Sequence, residues 1–318
     1  KIEECLEKAK RDIGVFMRVA FIGASSFGLR CLEEVTRLPG ISVVGVVTNP
    51  KTFGISYSEK PVTNVLHADF VAWAAIRSLP CFAMQQTMND KALLEWLRVI
   101  EPQLFVVVGW YHMLPRTIRE IAPAVGLHAS LLPDYSGGAP LVWAMINDEK
   151  ETGISLFQLA DGVDSGPIYG QAREEIRPDD TIATLYSRIE LRGLELLQNQ
   201  LPKIADGTVI PWVQDESKRR VFAQRSPADG RICWQWDAEY IDRFIRAQTR
   251  PYPGAFTMLG GRKLTIWAAS LRNHSVGEEP GFVARDGSCY SVCCGTGAIH
   301  LTALQCGDTV YVGEKMID

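Results

Sequence analysis

One histidine and one aspartate near the middle of the chain lie where the pattern predicts that strands end in turns. His128 lies in the segment HASLLP, and Asp164 ends an Asp-Gly-Val-Asp turn that begins at Asp161. An imidazole and a carboxylate that meet in a pocket can act together as a general acid and base. The alternative interpretation is a structural histidine beside turn-forming aspartates. Two aspartates in one loop leave room for one structural and one catalytic role.

Alternating strands and helices form the frame around these residues. Short apolar runs at 18–23, 41–47 and 104–108 are separated by helical patterns at 29–37, 71–78 and 90–100. This alternation predicts an α/β fold with a mostly parallel, doubly wound sheet. Ligands of such sheets bind at the carboxyl ends of the strands. We therefore expect the loop at 109–115 and His128 to face one crevice.

The rest of the chain predicts three further parts. A long helix is expected at 181–201, closed by Pro202, and the polar stretch 206–225 is expected to link two domains. Short glycine-bounded strands beyond it predict a small, OB-like antiparallel barrel. The predicted domains are an appended N-terminal helix (1–16), a catalytic domain (17–205), the linker (206–225) and the barrel domain (226–318).

Composition excludes several classes of function. Charged residues make up 22% of the chain, hydrophobic residues 47%, and the net charge is −4, so there is no overall attraction to nucleic acid or to an anionic membrane. No apolar run is long enough to span a bilayer, and we expect a cytoplasmic protein. The eight cysteines show no C-x-x-C pair, so no metal site is predicted. Segment 23–28 lacks the middle glycine of a dinucleotide-binding loop.

Several segments together resemble a known enzyme family. They are HASLLP with GGAP and ADGVDSG, supported by RVAFIG, VVVGWYHMLP and PYPGA. From Met17 to about Lys315 the chain resembles the formyltransferases that use 10-formyltetrahydrofolate. These include methionyl-tRNA formyltransferase, sugar N-formyltransferases and the hydrolase domain of formyltetrahydrofolate dehydrogenase. The resemblance implies a Rossmann-like formyltransferase domain followed by a small barrel domain.

The resemblance also implies roles for individual residues. The catalytic histidine and aspartate of the family fall on His128 and Asp164, and the folate is expected to be held by two loops, largely through main-chain groups. The first loop consists of Gly109, Trp110, Tyr111, His112, Met113, Leu114 and Pro115, and the second of Ala160, Asp161, Gly162 and Val163, ending at Asp164.

Two departures from the family pattern affect the expected chemistry. Gly126 stands where most transferases have a catalytic asparagine, whose amide would donate a hydrogen bond to the oxyanion. Losing one such donor typically costs about 10²- to 10³-fold in rate. Ser130 and His112 are the candidate replacements, and hydrolysis of the formyl group by water stays open. The second departure is Ser136, where the family more often has arginine.

The acceptor is expected to be a small amine, such as an amino sugar on a nucleotide carrier. Methionyl-tRNA formyltransferases are rich in lysine and arginine after the second strand, whereas 51–61 holds only Lys51 and Lys60 against Glu59. Because phosphate contacts need cationic side chains, tRNA is less favoured, although the basic run 218–225 could form a patch. A catalytically silent folate-binding module is the non-enzymatic alternative. The sequence does not identify the amine, the role of residues 1–16 or the oligomeric state.

Overall fold

The computed structural model describes residues 16–55, 58–85, 87–272, 279–286, 289–312 and 315–316. The helix predicted at 1–16 lies outside these residues except for Phe16. The described chain divides into two compact units. The first contains the residues up to Ser136 together with Gly153–Arg173 and Glu190–Arg219, and the second contains Gly137–Thr152, Glu174–Ile189 and the residues from Arg220 onward.

The helices and strands follow the predicted alternation. Up to residue 205 they are β1 (Met17–Ile22), α1 (Ser26–Val35), β2 (Ile41–Thr48), β3 (Thr52–Ile55), β4 (Ser58–Thr63), α2 (Phe70–Ile76), β5 (Cys81–Ala83), α3 (Lys91–Ile100), β6 (Leu104–Val107), α4 (Arg116–Arg119), β7 (Ala124–His128), β8 (Ser136–Gly137), α5 (Pro140–Ile146), β9 (Glu151–Gln158), β10 (Ile168–Glu175) and α6 (Ile182–Ala205).

A seven-stranded sheet in the order β10-β9-β7-β6-β1-β2-β5 organises this part of the chain. The pairs β1·β2, β1·β6, β2·β5 and β6·β7 are parallel, and β9 runs antiparallel to β7. The predicted α/β fold with a mostly parallel sheet is therefore confirmed. Because β6 and β7 are parallel neighbours, their carboxyl ends lie at the same edge of the sheet. That edge carries both the loop after β6 and His128.

The core of the first unit lies on the central strands. Phe21, Ile22 and Phe105 are fully buried, as are Leu93 and Leu97 of α3. Burying a large apolar side chain contributes about 1.5–3 kcal/mol, so these strands form a stable base. Helix α3 begins after Asp90, whose side chain accepts a hydrogen bond from the N–H of Ala92. Such a cap satisfies one of the helix's free donors.

Helix α6 differs from its prediction. It was expected to close at Pro202 but continues to Ala205, with Pro202 inside it. A proline removes one backbone donor but has a φ compatible with a helix. The buried Leu197 and Leu201 anchor the preceding turns, so packing offsets the lost hydrogen bond and the helix runs on.

The second unit contains the predicted antiparallel domain. Its elements are β11 (Val221–Phe222), α7 (Ala238–Arg246), β12 (Ala255–Leu259), β13 (Arg262–Arg272), β14 (Val283–Asp286), β15 (Cys289–Cys293), β16 (Ala298–Cys306), β17 (Thr309–Val312) and β18 (Lys315–Met316). The strand order is β12-β13-β16-β15-β14, with β17 pairing with β16 and β18. Neighbouring strands are antiparallel, which confirms the small β-domain. Among the described helices, none combines the length and hydropathy needed to cross a bilayer.

Candidate active site

His128 is fixed at the carboxyl end of β7 by a main-chain contact. Its Nε2 lies 2.8 Å from the carbonyl oxygen of Tyr135. A carbonyl only accepts hydrogen bonds, so Nε2 carries a proton and donates it. In the neutral imidazole the lone pair is then on Nδ1. The local fold therefore selects the tautomer and aims Nδ1 as the proton-accepting atom.

Asp164 faces that nitrogen. Its Oδ2 lies 3.5 Å from Nδ1 of His128, and the two side chains are only 20% and 11% exposed. With a neutral imidazole, an acceptor nitrogen and an acceptor oxygen point toward each other. Their approach becomes favourable when a proton sits on Nδ1 or when a donor, such as an N–H of a bound molecule, bridges them. The structure thus brings together the imidazole and the carboxylate that the sequence singles out.

The loop that carries Asp164 has an unusual backbone. Asp164 has φ +48°, a left-handed conformation that costs a non-glycine residue about 1 kcal/mol. The Gln214 side-chain nitrogen donates to the carbonyl oxygens of Asp164, at 2.7 Å, and of Gly166, at 2.6 Å. A Cβ on Gly166 would lie 1.7 Å from the carbonyl oxygen of Gln158, so only glycine fits this turn.

The loop after β6 brings aromatic rings and two unpaired nitrogens to the same edge of the sheet. His112 lies 5.5 Å from the ring of Trp110 and 5.4 Å from that of Phe53. Trp110 Nε1 and His112 Nε2 are buried without a hydrogen-bond partner among the described residues. Burial lowers the pKa of His112, which favours the neutral ring. The loop therefore carries two buried nitrogens whose hydrogen-bonding capacity is unused within the described residues.

Gly109 lets this loop pass close to the turn after β1. It has φ +62°, and a Cβ there would lie 1.9 Å from the hydroxyl oxygen of Ser25. The N–H of Ala24 donates to its carbonyl oxygen at 3.2 Å. A larger residue at position 109 would force Ser25 or the loop to shift.

Arg119 joins the two predicted folate loops. Its Nε donates to the carbonyl oxygen of Leu114 at 3.2 Å, and its Nη2 donates to the carboxylate of Asp161. Hydrogen bonding to Arg119 lowers the pKa of Asp161. Asp161 is thus paired with Arg119, whereas Asp164 faces the histidine.

The two candidate replacements for the missing asparagine differ in what they can donate. The Ser130 hydroxyl gives its one proton to the carbonyl oxygen of Asp134 at 2.7 Å. His112 retains the unpaired Nε2 described above. Gly126 is buried in the sheet, opposite Val107 and Phe157. Of the two candidates, His112 is thus the one with a side-chain nitrogen that has no partner among the described residues.

Three residues near His128 and Asp164 were missed by sequence reasoning. Tyr135 acts through its carbonyl oxygen, which any residue type could supply, so its side chain gives no signal. Gln214 and Arg219 lie in the predicted linker, and Arg219 belongs to a basic run of the kind that is typical of a solvated surface. Their spacing from Asp164 in the chain carries no signal either. Among the described residues no group of three His, Cys, Asp or Glu could hold a metal ion.

Comparisons with known proteins match both parts of the chain to one family. A family model described as formyl transferase matches residues 17–201, and one described as formyl transferase, C-terminal domain, matches residues 225–313.

Three solved structures share the fold at low sequence identity. An N-formyltransferase from Helicobacter canadensis, in complex with folinic acid and dTDP-3-aminofucose, has a TM-score of 0.65 at 17% identity, covering 92% of this chain and 100% of that chain. A methionyl-tRNA formyltransferase from Clostridium thermocellum has a TM-score of 0.54 at 20% identity, covering 88% and 100%. A variant of HypX from Aquifex aeolicus has a TM-score of 0.63 at 16% identity, covering 93% of this chain but 46% of that chain. The chain thus spans about half the length of HypX.

Proposed function

The chain belongs to the formyl transferase family, and from that premise we propose that it transfers a formyl group from 10-formyltetrahydrofolate to the primary amine of a small molecule, such as an amino sugar. The observation that carries this proposal is the pair of acceptor atoms, His128 Nδ1 and Asp164 Oδ2, facing each other at 3.5 Å. An amine that attacks a formyl carbon must lose a proton. This pair can receive it.

The proposed reaction assigns one task to each group. The neutral amine attacks the formyl carbon, and the N–C bond forms while the carbonyl oxygen becomes an oxyanion. Nδ1 of His128 takes the proton that the amine nitrogen releases, and Asp164 stabilises the resulting imidazolium. When the bond from the formyl carbon to N10 of the folate breaks, that proton passes to N10. Atoms and charges balance without a metal or a further cofactor.

The oxyanion needs a donor because Gly126 has no side chain. His112 is the proposed donor: its unpaired Nε2 lies on the loop that the resemblance assigns to the pterin. Burial disfavours the charged form of the ring. One of the two tautomers of the neutral ring carries its proton on Nε2. The loops 109–115 and 160–164 are proposed to hold the folate, and their connection through Arg119 supports a single binding surface.

The acceptor is proposed to be small because the basic run is engaged within the protein. Each of its cations has an internal partner: Lys218 pairs with Asp215, Arg219 with Glu216, Arg220 with Glu149, and Arg225 hydrogen-bonds to Gln248 and stacks on Trp143. Phosphate contacts with tRNA would require free cations. The dTDP-3-aminofucose in the H. canadensis structure is consistent with a sugar amine here.

Hydrolysis is the second candidate function, and the glycine at position 126 favours it. Water could take the place of the amine between His128 and Asp164, and formate would then be released. The hydrolase domain of formyltetrahydrofolate dehydrogenase, which the sequence also resembles, likewise lacks the asparagine.

Incubation with 10-formyltetrahydrofolate separates these functions. We expect no formate without an amine, and formylated product with amino sugars on nucleotide carriers. Formate without an amine would assign the hydrolase. Tight tRNA binding that falls steeply with salt, together with formylation of methionyl-tRNA, would replace the small-amine proposal. Folate binding with no turnover under any of these conditions would leave a binding module.

A further inference from the structure

We propose that Arg219 and Gln214, two residues of the predicted linker, are positioning residues for formyl transfer that hold Asp164 against His128. The inference rests on the proposed function of the His128–Asp164 pair and extends it to side chains outside the two folate loops. Neither residue is proposed to contact the reacting atoms. Both act through the backbone and the environment of Asp164.

Gln214 restrains the backbone on both sides of the turn. It is 5% exposed, and its amide nitrogen bridges the carbonyl oxygens of Asp164 and Gly166. This bridge stabilises the left-handed conformation of Asp164, which the residue would otherwise leave for a relaxed one. Without it, the carboxylate would sample positions away from Nδ1 of His128.

Arg219 in turn orients Gln214. Its Nη2 donates to Gln214 Oε1 at 3.1 Å. A guanidinium only donates and backbone carbonyls only accept, so the Gln214 amide has one orientation that satisfies both sides. The chain of contacts runs from Arg219 through Gln214 to the Asp164 backbone.

Arg219 also contacts the other side of the site directly. Its Nη1 donates to Ser136 Oγ at 2.6 Å and to the carbonyl oxygen of Val163, next to Asp164, at 3.4 Å. Its side chain is 13% exposed. Ser136 follows Tyr135, whose carbonyl oxygen orients His128. One guanidinium therefore links the segment that orients the histidine to the loop that carries the aspartate.

The guanidinium of Arg219 also interacts electrostatically with Asp164. Hydrogen bonding to Glu216 raises the pKa of Arg219, and the negative charge of Asp164 acts in the same direction.

This arrangement predicts a specific kinetic defect. Arg219→Ala should lower kcat by about 10²-fold, the size expected from misplacing a catalytic group by about 1 Å, with a much smaller change in KM for the folate. Added guanidinium ion at a non-denaturing concentration should restore at least part of the loss. Lys218→Ala is the matched control, because Lys218 is the neighbouring cation, is 74% exposed and pairs only with Asp215 in the described residues.

Hydrogen exchange reports on positioning without requiring turnover. Gln214→Ala should speed exchange in peptides covering 158–168 and leave peptides from β1 and β6 unchanged. Gln214→Glu keeps the size of the side chain but loses its N–H donors. It should have the same effect, and it replaces Gln214→Ala if that variant does not fold. Faster exchange with an inactive wild-type enzyme would reject the proposed function and keep the positioning role. Unchanged exchange in both Gln214 variants, or activity of Arg219→Ala within twofold of wild type, would reject the positioning role itself.

Discussion

Replacing Asp164 with asparagine isolates the electrostatic part of the proposed mechanism. The change keeps the size of the side chain and removes its charge. At 3.5 Å, a carboxylate and an imidazolium attract each other by about 4–5 kcal/mol at an effective dielectric constant of about 20. Because both side chains keep some solvent exposure, we take about 3 kcal/mol as the usable part, which corresponds to a loss of roughly 10²-fold in kcat.

The substituted amide acts on the base as well. Its NH₂ group can donate to Nδ1 of His128 and occupy the lone pair that should receive the proton. We therefore expect the loss of roughly 10²-fold to be a lower bound. His128→Ala should lose a similar factor or more, since it removes the base itself.

A double-mutant cycle tests whether the two residues work as a unit. If they do, His128→Ala/Asp164→Asn should be about as slow as the slower single variant, because each change removes the same proton transfer. The assay is steady-state formylation of the best amine, with folding checked by urea denaturation. Asp206→Asn, an exposed carboxylate that bonds only to Thr208 within the described part of the chain, serves as control. Losses that multiply, to about 10⁴-fold, would show that the residues act independently and would refute the reasoning.

Three further predictions follow from the geometry. Gly126→Ala should lower the free energy of unfolding by about 1 kcal/mol in urea denaturation, because its Cβ would lie 3.2 Å from Leu159 Cδ2 and 3.3 Å from a backbone oxygen. Arg119→Ala should raise the KM for 10-formyltetrahydrofolate by about tenfold, the loss of one charge-assisted contact, and leave kcat within a factor of two to three. An unchanged KM would show that the two loops do not bind the folate as one surface. Burial opposes ionisation of Asp180, but hydrogen bonds from Arg188 and nearby groups outweigh it and lower its pKa to about 2, so Asp180→Asn should cost about 2 kcal/mol at pH 7. Since the folded pKa is depressed, this difference should be constant above about pH 5 and vanish between about pH 4 and pH 2, as acid titration of both proteins would reveal.

The fold was largely predictable because its signals are local. Apolar runs such as 18–23 and 104–108 are typical of buried strands, and helices between them favour parallel neighbours. The exception at Pro202 has a tertiary cause: the buried Leu197 and Leu201 hold the helix through a residue that local rules treat as a stop.

The candidate site was predictable only where a side chain supplies the reactive group. His128 and Asp164 are chemically distinctive and sit at the ends of strands or in turns. Tyr135 contributes a carbonyl oxygen, which leaves no trace in the residue type. Gln214 and Arg219 act through contacts that only the folded chain creates, since the residues they join lie far apart in sequence.

The reach of Gln214 into the Asp164 turn bears on how the protein could be dissected. The match to the first family model ends at residue 201, which makes that border an inviting place to cut when the amino-terminal portion is expressed by itself. A fragment cut there would keep the parallel sheet, the imidazole and the carboxylate, yet it would lack the amide that braces the turn. Minimal versions of the enzyme should therefore extend at least through Arg219.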